Sequence, residues 1–325
     1  MHLAATEEAI DGLLSKLVPL LGITLLVAAV LGSAKIASLI FPNAGFDLEG
    51  HDWSLPLITS SQARPAALQP KQGFPPPLKA ADHITDGKHH LLLAATGSVA
   101  TIKIPNILEA LSKYDNLSIR VLLSDSAANF LGGQSGEQPS LAALAKIKNV
   151  DGIYHDEDEW RKPWVRGDNI LHIELRRWAD LMVIAPLSAN SLAKLALGLS
   201  DNLISSVVRA WDAMGILDQA RPGVPLPYNG KKGIVVAPAM NTAMWHHPLT
   251  AEHMQRLSET WSVERGGWFE VLRPIEKELA CGDTGSGAMH DWKLIVAAIE
   301  GRLKLSVTAD KDAKDANSGT QSLTG

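Results

Sequence analysis

The segment from Leu181 to Ala185 (LMVIA) restricts the possible folds most, because it is an unbroken apolar run that ends at Pro186. A strand with apolar side chains on both faces is typical of a parallel sheet that is covered on both sides. The next residues, Ser188–Ser191, are small or polar, and apolar residues at helical spacing follow them. We therefore predict a buried strand followed by a helix whose free N–H groups lie at the carboxyl edge of the sheet. Open α/β sheets bind ligands at that edge.

Other segments repeat this order of apolar strand, sharp stop and small or polar residues. They are His90–Ala95 followed by Thr96, Gly97 and Ser98, Ser118–Leu123 followed by Ser124, Asp125 and Ser126, and Gly233–Ala237 followed by Pro238. Helical patterns separate the strands along the chain. The alternation predicts an α/β fold with a doubly wound parallel sheet, flavodoxin- or Rossmann-like, in a single domain with an N-terminal extension.

The turn after the first of these strands is a candidate phosphate site. Ser98 is placed to cap a helix that reaches about Lys113, and Gly97 lets the backbone approach a ligand closely. The sequence has no GxGxxG at this turn, so the dinucleotide-binding fingerprint is absent. From the local sequence, a purely structural turn at Gly97 is an equally good interpretation.

Composition and charge exclude several classes of protein. The net charge of the 325 residues is −5, which gives no sign of the basic face that nucleic-acid binding requires. With one cysteine, Cys281, an intrachain disulfide is impossible, and we expect a reducing compartment and a cytoplasmic location. His246, His247 and His253 lie close in sequence, but no nearby carboxylate or thiolate completes a recognisable ligand spacing. We therefore expect no metal site there.

The N-terminal part of the chain is expected to lie outside the globular domain. Leu17–Ala34 is uncharged and at the short limit for a membrane span, and three interpretations stay open: a marginal anchor, a helix docked on protein, or a gene-model extension. The predicted organisation is an apolar segment over residues 1–40, a Pro-rich linker over 41–87, the globular domain over 88–306 and a disordered tail over 307–325.

Three further segments interrupt the α/β pattern. Asp156–Trp160 (DEDEW) is acidic and fits a solvated loop, and Ala213–Lys232 is a Pro/Gly-rich insertion without periodicity. Ala280–Met289 (ACGDTGSGAM) places Cys281 among glycines, which predicts a mobile flap rather than a regular element.

Four motifs occur together in this chain: GSVA at Gly97–Ala100, LHIELRRWADLMVIAPLSAN at Leu171–Asn190, PAMNTAMW at Pro238–Trp245 and ACGDTGSGAM at Ala280–Met289. In this combination and order they resemble the homo-oligomeric flavin-containing cysteine decarboxylase family. The resemblance covers roughly residues 88–305. It implies that the chain binds FMN and assembles as a homotrimer.

The resemblance also implies roles for individual residues. His172 is expected to be the catalytic base, and Cys281 is expected to complete the reduction. Asn241, Arg177 and Met244 match positions that bind or support the substrate. The positions that match FMN-binding residues are Gly97, Ser98, Ser124, Ser126, Phe130, Ser188, Ala189, Asn190 and Ser191.

The activity implied by the resemblance is FMN-dependent decarboxylation of 4′-phosphopantothenoylcysteine to 4′-phosphopantetheine in coenzyme A biosynthesis. The cofactor carries the redox step, and the protein supplies positioning and proton transfer. Two alternatives remain open: an inhibitory subunit of a protein phosphatase, as among fungal relatives, and another flavin-dependent cysteine decarboxylase. The presence of Cys281 and the short tail of mixed charge favour catalysis.

Overall fold

The structure is a computed structural model that describes residues 78–161, 163–278 and 284–306. The strands are β1 (His89–Ala95), β2 (Leu117–Leu123), β3 (Gly132–Ser135), β4 (Gln138–Ser140), β5 (Val150–Tyr154), β6 (Leu181–Leu187), β7 (Gly233–Pro238), β8 (Phe269–Val271), β9 (Ile275–Glu278) and β10 (Thr284–Ala288). The α-helices are α1 (Ile104–Leu111), α2 (Asp125–Ala128), α3 (Leu141–Leu144), α4 (Asp156–Glu159), α5 (Leu171–Trp178), α6 (Ala189–Leu197), α7 (Leu203–Arg209), α8 (Thr242–Trp245), α9 (Pro248–Gln255) and α10 (Trp292–Leu303). Short 3-10 helices span Ala80–His83, Val99–Lys103 and Val263–Arg265, and a π-helical turn spans Arg256–Thr260.

Six of these strands form one parallel sheet in the order β5-β2-β1-β6-β7-β8. The chain moves outward from β1 in one direction through β2 and β5 and then returns to the other side through β6, β7 and β8. The strand order therefore reverses between β1 and β6, and ligands bind beyond the carboxyl ends of the strands at such a point. The predicted doubly wound α/β fold is confirmed.

Helices cover both faces of the sheet because the central strands are apolar on both sides. On one face, Leu93 and Val183 pack in a buried cluster with Leu108 of α1 and Ile295 of α10. On the other face, Met182 packs in a second cluster with residues of α5, α6, α7 and α9. β1, β2, β6 and β7 are buried along their whole length, as their mainly apolar sequences predict, and in β2 this burial includes Ser118 and Arg120.

The strands differ from their sequence predictions at the ends and at the edges of the sheet. β6 continues through Pro186 to Leu187, because the Pro186 carbonyl still accepts the N–H of Thr96 and the Leu187 carbonyl accepts the N–H of Ala239. Proline removes a donor but keeps its acceptor. The two edge strands, β5 and β8, were not predicted from the sequence, since β5 contains Asp151 and Gly152 and β8 is very short.

The helix after β1 is also more irregular than predicted. It begins as the 3-10 helix Val99–Lys103 and becomes regular only in α1. Ser98 occupies the N-cap position, but its side chain makes no capping hydrogen bond, so the predicted cap is wrong in that detail. The Ser98 hydroxyl is consequently not used by the helix.

The insertion Ala213–Lys232, all of which the structure describes, contains no helix or strand, as predicted. It is anchored by ion pairs instead of by regular structure. Asp218 lies 2.6 Å from the Arg176 guanidinium, and Arg221 lies 2.6 Å from Asp180. These side chains are at least nine-tenths buried.

The packed structure extends further towards the N-terminus than the predicted boundary at Lys88. Leu78 is buried, and the Ala80 N–H donates to Glu174 Oε2 at 2.7 Å. Residues 78–87 therefore belong to the fold rather than to the linker. No helix in the described part of the chain is long and apolar enough to cross a membrane, and the possible anchor Leu17–Ala34 lies outside the described residues.

Candidate active site

Hydroxyl and amide side chains cap the helices that follow the carboxyl ends of three strands. Ser124 Oγ accepts the N–H of Ala127 at 3.2 Å after β2, and Ser188 Oγ accepts the N–H of Ser191 at 3.3 Å after β6. After β7, the side-chain oxygen of Asn241 accepts the N–H of Met244 at 2.8 Å. An N-cap places one acceptor on the helix and leaves nearby N–H groups and the rest of the polar side chain for a ligand.

Thr96 joins the ends of β1 and β6, and the sequence analysis did not single it out. Its hydroxyl donates to the Pro186 carbonyl at 3.0 Å and accepts the N–H of Ser188 at 2.7 Å. These two hydrogen bonds hold the turn before α6 against the turn after β1. The only signal for this role in the sequence is that Thr96, a hydroxyl residue, directly precedes the glycine of the turn.

The glycine turn after β1 leaves a small opening that a side chain would fill. A Cβ on Gly97 would lie 2.6 Å from Ser126 Cβ, well inside contact distance, so glycine is required for the turns after β1 and β2 to approach each other. Gly97, Ser126 and Asn190 are exposed, and Ser98 and Ser191 are partly exposed. A phosphate needs such a cluster of unobstructed N–H and O–H donors, so these residues fit a flavin phosphate. Phe130 and Ala189 are partly exposed at the same edge, where they would border the group.

His172 is held by a carboxylate that the sequence analysis did not identify. The Glu159 carboxylate lies 2.8 Å from His172 Nδ1 with one oxygen and accepts the His172 backbone N–H at 3.1 Å with the other. The His172 side chain is 24% exposed and that of Glu159 is 5% exposed. A proton on Nδ1 that is donated to Glu159 leaves Nε2 with a lone pair, which is the arrangement of an oriented general base.

The predicted solvated loop Asp156–Trp160 is wrong, because its carboxylates are used inside the fold. Asp156–Glu159 forms α4, Asp156 Oδ1 accepts the Leu203 N–H at 2.9 Å, and Asp158 Oδ2 accepts the His155 N–H at 2.7 Å. Burial raises the pKa of the Asp156 carboxyl. An acidic run close to the end of a strand can indicate that its carboxylates accept N–H groups at helix starts. It does not indicate which N–H group each carboxylate accepts.

The predicted substrate residues are placed in different parts of the molecule. Arg177 lies at the other end of α5 from His172, about 7 Å along the helix, and its guanidinium pairs with Glu174 at 3.1 Å. Within one chain, the structure therefore does not bring Arg177 to His172. Met244 is half exposed and lines an open groove of about 320 Å³ between α6, α8 and α9. Ala189 lines the same groove, so a predicted substrate residue and a predicted cofactor residue do meet.

The glycine-rich segment near Cys281 contains a strand, which corrects the prediction that it forms no regular element. Thr284–Ala288 is β10, paired with β9 in an antiparallel hairpin. The Gly287 carbonyl accepts the N–H of Met240 at 2.9 Å, and Ser286 Oγ is hydrogen-bonded to His246 Nε2 at 2.7 Å. The glycines allow this strand to lie directly against the segment that carries Asn241. Cys281 itself, between β9 and β10 in sequence, lies outside the described residues.

Comparison with known proteins shows that these segments all lie within one family domain. A family model described as Flavoprotein matches residues 80–304. A "Probable phosphopantothenoylcysteine decarboxylase" of Arabidopsis thaliana is 43% identical over 212 residues, which cover 65% of this chain and 87% of that protein. A "Probable thymidylate synthase" of Schizosaccharomyces pombe is 42% identical over 222 residues, and this chain spans only 30% of its length.

A solved structure also matches. It is a cysteine-to-serine mutant of PPC decarboxylase complexed with pantothenoylaminoethenethiol, with 39% sequence identity and a TM-score of 0.51. The match covers 66% of this chain and 97% of that one. The matched part of this chain therefore corresponds to a nearly complete solved protein.

Proposed function

Because this chain belongs to the Flavoprotein family, we propose that it is a flavin-dependent decarboxylase. Its substrate is 4′-phosphopantothenoylcysteine and its product is 4′-phosphopantetheine, in a step of coenzyme A biosynthesis. The observation that carries the proposal is the Glu159–His172 pair, an oriented base at the same sheet edge as the opening beside Gly97. Relatives named for this decarboxylase in Arabidopsis and mouse support the choice of substrate. The thymidylate synthase name does not extend to this chain, because less than a third of that protein is matched.

The cofactor of the proposed reaction is FMN. When bound, FMN would supply the oxidation of the substrate thiol and, after CO2 is lost, the return of the electrons. The residues proposed to hold FMN are Gly97, Ser98, Ser124, Ser126, Phe130, Ser188, Ala189, Asn190 and Ser191. The open turn at Gly97 and the unused hydroxyl of Ser98 support this assignment.

His172 is proposed to accept a proton from the substrate during the oxidative half of the reaction. Glu159 orients the ring and favours the proton on Nδ1, so that Nε2 is the basic atom. Asn241 is proposed to bind the substrate through its side-chain NH2 group, because its oxygen is occupied by the cap of α8. Met244 would line the substrate groove.

Cys281 is proposed to donate the proton that completes the reduction. The solved complex of a relative supports this role, since it contains an aminoethenethiol in a protein whose cysteine is replaced by serine. In this chain, Cys281→Ser should still release CO2 but should accumulate a product two hydrogens short of 4′-phosphopantetheine, because serine is a much weaker acid than cysteine. Normal product at the full rate would remove Cys281 from the reaction.

A homotrimer in the cytoplasm is the proposed assembly, with active sites shared between subunits. The distance between Arg177 and His172 within one chain supports a shared site, because Arg177 could then contribute to a neighbour's substrate. Neither His172→Asn nor Cys281→Ser chains alone should form 4′-phosphopantetheine, and mixing the two should restore its formation. If verified subunit exchange restores none, each site is complete within one subunit. Membrane association through Leu17–Ala34 is tested by fractionating the full chain.

The decisive experiment measures CO2 release from 4′-phosphopantothenoylcysteine by the purified full chain, with the product identified by mass. We expect a yellow protein, stoichiometric CO2 and 4′-phosphopantetheine. A flavin-loaded protein that releases no CO2 from this substrate would overturn the proposal. The same preparation would then be tested with peptides ending in cysteine and as an inhibitor of a protein phosphatase, which separates the two alternatives.

A further inference from the structure

Three side chains that can bind a metal meet at the amino edge of the sheet, opposite the edge that carries His172. They are His83, Asp86 and His90, and their ligand atoms all lie within 4.8 Å of one another. Asp86 Oδ2 is 2.8 Å from His90 Nε2 and 3.4 Å from His83 Nδ1. Residues 78–161, 163–278 and 284–306 contain no second group of this kind.

The ring of His90 faces two acceptors, which a neutral imidazole cannot satisfy. Nδ1 lies 2.9 Å from the Trp178 carbonyl oxygen, and Nε2 lies 2.8 Å from the Asp86 carboxylate. A neutral ring has one N–H, and His90 is fully buried, where a cationic ring is costly. A metal ion beside Nε2 removes the conflict, because Nδ1–H then donates to Trp178 and the Nε2 lone pair binds the metal.

The atoms around the three side chains are arranged as the outer shell of a metal site. Asp86 Oδ1 accepts hydrogen bonds from Arg221 Nη1 at 3.0 Å and from the Lys88 N–H at 3.1 Å, so that Oδ2 is turned towards the two histidines. Partners of this kind orient metal ligands in known sites. Arg221 also pairs with Asp180 at 2.6 Å, so the two carboxylates and one guanidinium leave a net charge of −1 for a cation.

We propose that His83 Nδ1, Asp86 Oδ2 and His90 Nε2 bind one Zn²⁺ ion, with water as the fourth ligand. Two imidazole nitrogens and one carboxylate oxygen suit zinc, whereas Mg²⁺ and Ca²⁺ prefer oxygen ligands alone. The His83 side chain is 33% exposed, which provides a path for the ion to enter. The ion would link the 3-10 helix Ala80–His83 to the start of β1.

The role of the ion is structural. His90 stacks on Trp178, the last residue of α5, with 4.3 Å between the ring centroids. The ion therefore ties the entry of the chain into the domain to the end of α5 furthest from His172. Because the site is at the other edge of the sheet, metal-free protein should keep both its flavin and its decarboxylation rate.

The test is a calorimetric titration of the EDTA-treated, flavin-loaded full chain with ZnCl2. We expect one tight site per chain, a Kd raised at least about tenfold in His83→Gln and in Asp86→Asn, and an unchanged Kd in His290→Gln as the matched control. At a hundredfold excess of zinc over Kd, the Tm of the unchanged chain should rise by about 5 °C, and that of His83→Gln should not.

Cobalt provides a second readout that does not depend on stability. Co²⁺ in a four-coordinate site absorbs visible light, and this absorption should appear in the unchanged chain and be lost in Asp86→Asn. The proposal is overturned if no zinc binds, or if His83→Gln and Asp86→Asn bind zinc as tightly as the unchanged chain. Failure of the decarboxylation assay would not affect this result, because zinc binding is measured without substrate.

Discussion

The two edges of the central sheet are built from different chemistry. At the carboxyl edge, strands end in small residues and uncharged caps such as Ser124, Ser188 and Asn241, and backbone N–H groups are left near the surface. At the amino edge, Arg221 and Lys232 are buried against carboxylates and carbonyl groups. The carboxyl edge is arranged to receive an anionic ligand through N–H and O–H donors, whereas at the amino edge Arg221 and Lys232 are buried in pairs with groups of the protein itself.

The difference also explains the position of the Ala213–Lys232 insertion. A segment without helix or strand needs partners for its polar groups, and it finds them in ion pairs at the amino edge. Lys232 donates to the carbonyls of Arg176 and Arg177 at the end of α5 and pairs with Asp218 at 3.3 Å. Burial lowers the pKa of Lys232. Substitutions at the carboxyl edge should therefore change activity, and those at the amino edge should change stability.

The largest expected effect is the loss of activity in His172→Asn. Removing a general base costs about 10²–10⁴-fold in rate, so kcat should fall about a thousandfold. The flavin absorbance should stay the same, because His172 is separate from the turns that would hold the phosphate. The same type of change at the amino edge, His83→Asn, should leave kcat unchanged. A normal rate in His172→Asn would show that His172 has only a structural role.

Arg221→Met tests the amino edge. It leaves Asp180, whose side chain is 2% exposed, without its ion-pair partner, and breaking a buried pair costs about 3–5 kcal/mol in the free energy of unfolding. Urea unfolding measures the loss, and kcat per folded, flavin-loaded chain should not change. Lys148→Met is the control, because both side chains of its pair with Asp115 are exposed and this pair should contribute at most about 1 kcal/mol. Equal losses in the two variants would contradict the buried pairing of Arg221 with Asp180.

Glu159→Gln is expected to lower kcat about tenfold to a hundredfold, or about 1.4–2.7 kcal/mol, because the amide can no longer favour a proton on Nδ1 of His172. The pH dependence of kcat should move with it, which a structural role alone would not produce. Glu252→Gln removes a carboxylate from the exposed side of α9 and should have no effect. An unchanged rate and pH profile in Glu159→Gln would show that Glu159 does not position His172 for catalysis.

The smallest expected effect separates capping from ligand binding. Ser124→Ala removes the hydrogen bond to the Ala127 N–H and should cost about 1 kcal/mol in stability. It should also weaken FMN binding about tenfold, measured by fluorescence titration, since the hydroxyl proton is free for the phosphate. Ser140→Ala removes an equivalent cap from α3, outside the predicted site, and should change stability alone. Equal FMN affinity in both variants would exclude Ser124 from the phosphate site.

Much of the fold was determined by local sequence patterns. Runs of mainly apolar residues set β1, β2, β6 and β7 and their burial, and the small residues after them marked the carboxyl edge as the candidate site. The irregular insertion Ala213–Lys232 was equally clear from proline, glycine and the lack of a period. These features depend on residues close together in the chain, so their physical causes are visible in the sequence.

Only the tertiary structure decided which distant groups become partners. Glu159 reaches His172 across thirteen positions, and Thr96 reaches Ser188 across ninety-two, because the sheet brings their turns to one edge. An acidic run in the sequence does not state whether water, a helix N-terminus or a histidine will satisfy it. His90 is another case, since its partners include the Trp178 carbonyl, eighty-eight positions away. Apolar burial is set by local pattern, but a hydrogen bond or ion pair needs both partners at a specific distance and direction, which the assembled fold alone supplies.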